Sequence, residues 1–220
     1  MKFPICKAAC LVALVSAMPW AGTQATTGVP VGGSLGFTVQ RDGDDVGTHT
    51  IVFKDSGGLL TVDVQTSVNV KLPFIGISVY HFEHKGSEVW RNGALVTLES
   101  STDDDGEARA LKVHSEGGKL YVESNVAQHE SPADLIPASL WHPNFITQRV
   151  LLNTLDGSEM PVKITEQENE TIAVQGQMVT TRHFLVAGGL NREVWYDSQG
   201  VLVKVAFAAK DDSRVEYVLK

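Results

Sequence analysis

The stretch Pro137–Gly157 reads PASLWHPNFITQRVLLNTLDG and has the features of a helix. Pro143 suits a first helical turn, because its φ is already fixed and its missing N–H costs nothing there. Gly157 suits a C-terminal stop, because glycine readily takes the left-handed conformation. The apolar residues fall on two sides of a helical wheel, as is typical of a buried helix; Trp141, Phe145, Leu152 and Leu155 form one side, and Ile146 and Val150 the other. The stretch therefore predicts one buried helix near residues 139–155.

On both sides of this stretch the chain alternates apolar and polar residues, which is typical of β-strands. Asn92-Gly93 is the strongest hairpin signal between two such runs, and Gly86-Ser87 also predicts a turn. We therefore expect a single, mainly β domain over residues 35–220: a strongly curved antiparallel meander or open barrel with one buried central helix. The alternative is ordinary α+β packing, with the helix covering one face of the sheet.

The first 25 residues predict a secretory signal peptide. Lys2 and Lys7 give it a positive start, and the apolar run that follows is too short to span a bilayer. Small residues offer cleavage after Ala21 or Ala25, and residues 26–34 then form a glycine-rich, flexible leader. The sequence thus predicts an exported protein, periplasmic or secreted.

The composition of the remaining chain excludes several classes of protein. Cys6 and Cys10 both lie in the signal peptide, so disulfides, thiolate metal sites and a cysteine nucleophile are excluded, and a bacterial envelope is favoured. The 18 basic side chains less Lys2 and Lys7 leave 16 against 26 acidic ones, a net charge of −10. A chain this acidic is unsuited to nucleic acid. With no second apolar run of membrane length, it is not predicted to span a membrane.

The clusters of histidine and acidic residues lack the spacing of a metal site. His81 and His84 are three residues apart, so on a strand they face opposite sides and cannot easily chelate one ion. The acidic runs 42–45 and 103–106 lack the alternating ligands and distant glutamate of a calcium loop. We therefore predict solvated hairpin tips, no metal and no cofactor.

Ser139 and His142, with Asp156 or Asp197, form a set that invites comparison with a catalytic triad. No G-x-S-x-G motif surrounds the serine, and a serine just before a helix is an ordinary N-cap. The chain therefore has no evident catalytic machinery. The alternative is a hydrolase that uses His142 with a carboxylate.

The aromatic residues supply the candidate binding site. Tryptophan and tyrosine often line pockets, since each combines an apolar body with a polar tip. For Trp195 the competing interpretation is core packing. The residues predicted to contact a ligand are Trp90, Trp141, His142, Asn144, Trp195 and Tyr196.

Three motifs of this chain are distinctive. Phe37–His49 has the pattern F-x-V-x-R-x-G-x-x-V-G-x-H, Trp141–Asn144 reads WHPN, and Trp195–Gly200 reads WYDSQG. Together they resemble a family of exported bacterial proteins known as domain of unknown function 6134. The chain is more remotely similar to uncharacterised periplasmic proteins with spiral or half-open β-sheets. This resemblance implies a fold, but no activity and no catalytic residue.

These features predict an exported envelope protein that binds an apolar or lipid-like ligand between the sheet and the helix. One alternative is the hydrolase described above. The other is a structural partner of another envelope protein, which would pair through an exposed edge strand.

Overall fold

The computed structural model describes residues 28–71 and 76–220, and the predicted signal peptide lies outside these residues. The described chain forms sixteen strands, one short 3-10 helix and no α-helix, and its mainly β character is confirmed. The strands are β1 (Ser34–Arg41), β2 (Asp44–Ser56), β3 (Leu59–Lys71), β4 (Ser78–Arg91), β5 (Ala94–Asp104), β6 (Glu107–Glu116), β7 (Lys119–Ser124), β8 (Gln128–Pro132), β9 (Ile136–Pro137), β10 (Val150–Leu152), β11 (Glu159–Glu166), β12 (Glu170–Val174), β13 (Gln177–Gly188), β14 (Arg192–Tyr196), β15 (Leu202–Ala208) and β16 (Arg214–Leu219). No helix in these two ranges is long and apolar enough to cross a membrane.

The strands form one sheet that consists of two joined meanders. Strands β1 to β8 pair in chain order, and β1 also pairs with β16, from which the sheet continues through β15, β14, β13, β11 and β10 to β9. Neighbours are antiparallel except β9 and β10, and β12 branches off by pairing with β13. The sheet ends at β8 and β9 without closing, which confirms the expected open antiparallel arrangement.

The two halves of the sheet share one main core, which requires the sheet to curve. Leu111 and Leu120, from the first meander, belong to the same buried cluster as Phe184 and Val194 from the second. A smaller cluster lies on the outer face under β12 and contains Val174, Trp195, Val203 and Ala206. Apolar residues in alternate positions therefore serve opposite faces of the same strands.

The two predicted turns of the first meander have different outcomes. Asn92 and Gly93 have φ values of 52° and 77°, as a tight two-residue hairpin turn requires, and the hairpin is confirmed. The turn predicted at Gly86-Ser87 is wrong, because β4 passes through it without interruption. A Cβ at Gly86 would lie 3.3 Å from Nε2 of His84, so glycine here leaves room for an inward-facing imidazole.

The helix predicted near residues 139–155 is also wrong. The stretch Pro137–Gly157, called the crossing segment below, contains a five-residue 3-10 helix over Pro143–Thr147 and the strand β10. Gln148 is already extended, at φ −76° and ψ 150°, and the residues that follow pair with β9 and β11. The branched side chain of Val150, the first residue of β10, favours this extended pairing. The apolar pattern reports burial instead of helix: exposed fractions do not exceed 1% at Trp141, Phe145, Leu151 and Leu152.

Candidate functional site

A cavity of about 460 Å³, called the inner cavity, lies between the inner face of the sheet and the crossing segment. Strands β2 to β5 form one wall and β14 to β16 the opposite wall, and the crossing segment contributes residues 138–140 and 153–155. The apolar lining includes Val64, Leu98, Leu140, Leu155, Leu202, Val205 and Phe207. The polar side chains that converge on it include His49, His84, Glu88, Ser139, Arg192 and Tyr217.

Glu88 is a charged side chain buried in the wall of the inner cavity, with an exposed fraction of 1%. Its inward position on β4 places it opposite Val62 and Leu98. Oε2 of Glu88 accepts hydrogen bonds from Nε1 of Trp90 at 2.8 Å and of Trp141 at 3.0 Å. Burial raises the pKa of the Glu88 carboxyl, and the hydrogen bonds it accepts offset this only in part. The two indoles thus fix one carboxyl oxygen and leave the other without an N–H donor.

The hydroxyl of Ser139 adjoins this carboxyl. It is close enough to lower the pKa of Glu88, yet its Oγ is buried and has no partner with hydrogen-bond geometry in the described chain. A buried unsatisfied hydroxyl costs about 1–3 kcal/mol, so a ligand group or a water that bonded to Ser139 would be stabilised. The predicted N-cap role is wrong, because His142 occupies the N-cap of the 3-10 helix.

His142 is a buried part of the wall's support. Its ring lies on Trp90 with centroids 4.6 Å apart, and its Nδ1 accepts from the backbone N–H of Asn144 at 3.2 Å. Burial lowers the pKa of His142 to about 4, although a hydrogen bond to the backbone of Gly93 opposes the shift. Within residues 28–71 and 76–220, the histidines paired with carboxylates are His81, His114 and His183, and His142 is not among them.

A row of polar side chains crosses the inner face of β2 to β5. His49, Thr66, His84 and Thr102 stand opposite one another on successive strands, and all four are buried. Nδ1 of His49 lies 2.8 Å from Oγ1 of Thr66, and His84 and Thr102 form the same pair at 2.8 Å. Burial lowers the pKa of His49 to about 3, with a contribution from His84, and burial lowers the pKa of His84 to about 4. Both imidazoles are therefore neutral near pH 7.

The opposite wall carries a cation. Arg192, the first residue of β14, is half-buried, and its guanidinium carbon lies 3.7 Å from the ring centroid of Phe207. Burial lowers the pKa of Arg192, and the nearby phenol of Tyr217 offsets the shift in part. Burial likewise raises the pKa of Tyr217. This wall thus combines a positive charge with a phenol and an aromatic face.

Trp195 and Tyr196 lie on opposite faces of β14, as the sequence indicates. Tyr196 is buried, and its hydroxyl donates a 2.7 Å hydrogen bond to the carbonyl oxygen of Leu140, which anchors the crossing segment. Trp195 belongs to the outer cluster, where its ring stacks on His183 at 4.3 Å and its Nε1 donates to Glu170 at 3.0 Å. Trp195 is thus packed under β12.

The predicted ligand contacts lie behind the cavity wall or away from it. Trp90, Trp141 and His142 come together around Glu88, while the side chain of Asn144 is exposed. None of these four residues, nor Trp195 or Tyr196, is among the described residues that line the inner cavity. Glu88 and Arg192 line the inner cavity but are not among the residues predicted from the sequence. The alternation of side chains along β4 could have identified Glu88. It lies two residues before Trp90, on the strand that leads into the Asn92-Gly93 turn, so both side chains face the same side of the sheet.

The fold and site define an open antiparallel β-sheet curved around a mixed apolar and polar cavity. A crystal structure of a beta-barrel-like protein of domain of unknown function DUF1849 from Brucella abortus has a similar fold, with a TM-score of 0.59 at 9% identity over 85% of this chain and 94% of that chain. Residues 37–220 match the family described as Domain of unknown function (DUF6134), so the chain belongs to that family and the resemblance is confirmed. No curated protein matches the chain.

Proposed function

We propose that this protein is exported to the bacterial cell envelope and binds an apolar or lipid-like molecule in the inner cavity. The observation that carries the proposal is the cavity itself, which combines a set of apolar side chains with converging polar groups. Its volume of about 460 Å³ falls within the range of small-molecule sites. The predicted signal peptide supports the exported location.

The position of the crossing segment also supports ligand binding. Trp141 is fixed to Glu88 and Leu140 to Tyr196, and Oγ of Ser100 donates to the carbonyl oxygen of Thr154 at 2.6 Å. These bonds hold the segment across the sheet, so the space beneath it is preformed and need not be opened at a cost in ordering.

The two alternatives receive less support. A hydrolase would need a base within reach of a carboxylate, and the hydrogen bonds of His142 go to the backbone of Asn144 and Gly93. A partner that adds a strand would need a long free edge. The strands at the two ends of the described sheet, β8 and β9, have five and two residues, and each contains a proline.

The proposal is tested with purified protein and the neutral fluorescent probe N-phenyl-1-naphthylamine. We expect saturable binding to the wild type. Ala138→Phe places a phenyl ring in the cavity wall and should weaken binding at least about tenfold. Ala209→Phe is the matched control, since Ala209 is also half-buried but does not line the cavity.

Circular dichroism and melting temperatures establish that both variants fold. Probe binding that is absent from the wild type, or equally strong in the folded Ala138→Phe variant, would refute binding in the inner cavity.

A further inference from the structure

The inner cavity contains a positive charge that the described chain does not neutralise. Arg192 forms no ion pair with a carboxylate in residues 28–71 and 76–220. Among the described residues its guanidinium makes one hydrogen bond, from Nη1 to the backbone oxygen of Asn191 at 2.7 Å. The other arginines without such a partner, Arg91 and Arg149, are exposed and solvated. Arg192 is therefore the unpaired arginine that also lies in a cavity wall.

An unpaired guanidinium in this position is costly in free energy. Its face is covered by Phe207 at 3.7 Å, and partial burial has already lowered its pKa. A cation removed from water is stabilised by a matching anion, and a guanidinium can hold a carboxylate with two parallel hydrogen bonds. The N–H groups of Arg192 that make no hydrogen bond to the described chain can thus donate to the carboxylate of a ligand.

A second donor lies next to this cation. Tyr217 is half-buried, lines the same cavity, and its hydroxyl has no hydrogen-bond partner among the described residues. Its ring packs on Phe207 with centroids 6.0 Å apart and on His49 with centroids 5.0 Å apart. The pKa of Tyr217 is raised, so its phenol stays protonated and can donate a hydrogen bond. Arg192 and Tyr217 together offer a charged and a neutral donor.

The rest of the cavity suits an apolar chain. Val64, Leu98, Leu140, Leu155 and Leu202 also line it. Glu88 does not supply the missing negative charge, because it forms no ion pair with Arg192 and its raised pKa favours the neutral carboxyl. The cavity therefore offers an unpaired cation and a set of apolar side chains, alongside further polar groups such as Thr66 and Asn153.

From this arrangement we infer that the ligand of the inner cavity is an amphiphile with one anionic head group, of which a long-chain carboxylate is the simplest example. Its head group binds Arg192 and Tyr217, and its chain lies against the apolar wall. This inference rests on the ligand-binding function proposed above and specifies the chemistry of the ligand.

The test is competition against bound N-phenyl-1-naphthylamine at about pH 8, where a carboxylic acid is ionised. The competitors are dodecanoate, 1-dodecanol and dodecylamine, which share a chain and differ in the charge of the head group. We expect dodecanoate to displace the probe from the wild type at concentrations about 10- to 100-fold lower than dodecanol does, as a charge-assisted hydrogen bond allows. Dodecylamine should be the weakest competitor.

Variants of Arg192 then locate the effect. Arg192→Met keeps an unbranched stem over Phe207 and should abolish the preference for dodecanoate over dodecanol. Arg192→Lys keeps the charge and should retain part of the preference. Arg149→Met, at an exposed arginine without an ion pair, should behave like the wild type.

The possible failures are distinguishable. If the wild type does not bind the neutral probe, the proposed ligand-binding function fails. If it binds the probe but dodecanoate competes no better than dodecanol, or dodecylamine competes best, the anionic head group is refuted while the cavity function stands. The comparison among competitors uses the wild type, so it holds even if Arg192→Met does not fold. If Arg192→Met folds and keeps the preference, Arg192 is not the determinant.

Discussion

The buried carboxyl of Glu88 gives the sharpest prediction for stability. Its Oε2 accepts from the indole nitrogens of Trp90 at 2.8 Å and Trp141 at 3.0 Å, and through Trp141 it holds the crossing segment on the sheet. Glu88→Leu has a similar volume but no acceptor, so both indole N–H groups lose their partner. Glu88→Gln keeps a carbonyl oxygen as an acceptor and replaces the ionisable hydroxyl with an amide NH2 group.

The expected magnitudes follow from these contacts. An unsatisfied buried donor costs about 1–3 kcal/mol, so Glu88→Leu should lower the free energy of unfolding by about 2–6 kcal/mol, less whatever the leucine gains by burial. Glu88→Gln should lie within about 1 kcal/mol of the wild type at acidic pH. The pKa of Glu88 is raised in the folded state, so its contribution to stability is fully present below the unfolded pKa and is lost as pH rises through the folded pKa. The glutamine variant escapes this loss and should gain on the wild type as pH rises.

The assay is urea unfolding followed by tryptophan fluorescence at about pH 5 and about pH 8, since Trp90 and Trp141 report directly on the site. The reasoning is refuted if Glu88→Leu is as stable as the wild type. A difference between Glu88→Gln and the wild type that does not change with pH would refute the ionisation argument alone.

Three further predictions follow from other parts of the chain. His84 has a folded pKa of about 4, below its unfolded value of about 6.5, so its contribution is present above the unfolded pKa and is lost by about 1.4 kcal/mol per pH unit as pH falls towards the folded pKa. Urea unfolding across this range should therefore show a shallower loss for His84→Asn, and an unchanged slope would contradict the burial argument. Gly157→Ala, whose Cβ would lie 2.4 Å from Val122, should destabilise the protein by about 1–3 kcal/mol more than Gly176→Ala, which has a similar φ and open space; equal melting temperatures would contradict the clash. Export is predicted to leave a mature chain whose intact mass corresponds to cleavage after Ala21 or Ala25, and a diacylglycerol on Cys10 would contradict an unanchored product.

Much of the strand arrangement could be predicted because it is local. Alternation of apolar and polar residues gives the faces, and Asn92-Gly93 gives a turn whose positive φ values few other pairs tolerate. The crossing segment could not be predicted in the same way. Its apolar pattern reports burial on several sides, and such a pattern does not distinguish a buried helix from a short strand such as β10, which pairs with β9 and β11.

The candidate site was less predictable than the fold, because tertiary contacts create it. Trp90 and Trp141 are conspicuous as aromatic residues, but their role is to hold Glu88 from behind. Glu88 itself follows Gly86, which resembles a turn in sequence and is part of a strand in the structure. In the sequence nothing distinguishes Arg192 from other surface arginines, because its cavity forms only when the two halves of the sheet come together.

Native mass spectrometry of the protein purified from its native cells shows directly whether the inner cavity holds a ligand. We expect the wild type to carry the additional mass of one bound amphiphile, and the released molecule to have the mass of an acid. Folded Ala138→Phe should carry no such ligand. A wild type found only at the mass of the bare chain, even after gentle extraction, would contradict the account of the inner cavity as a binding site.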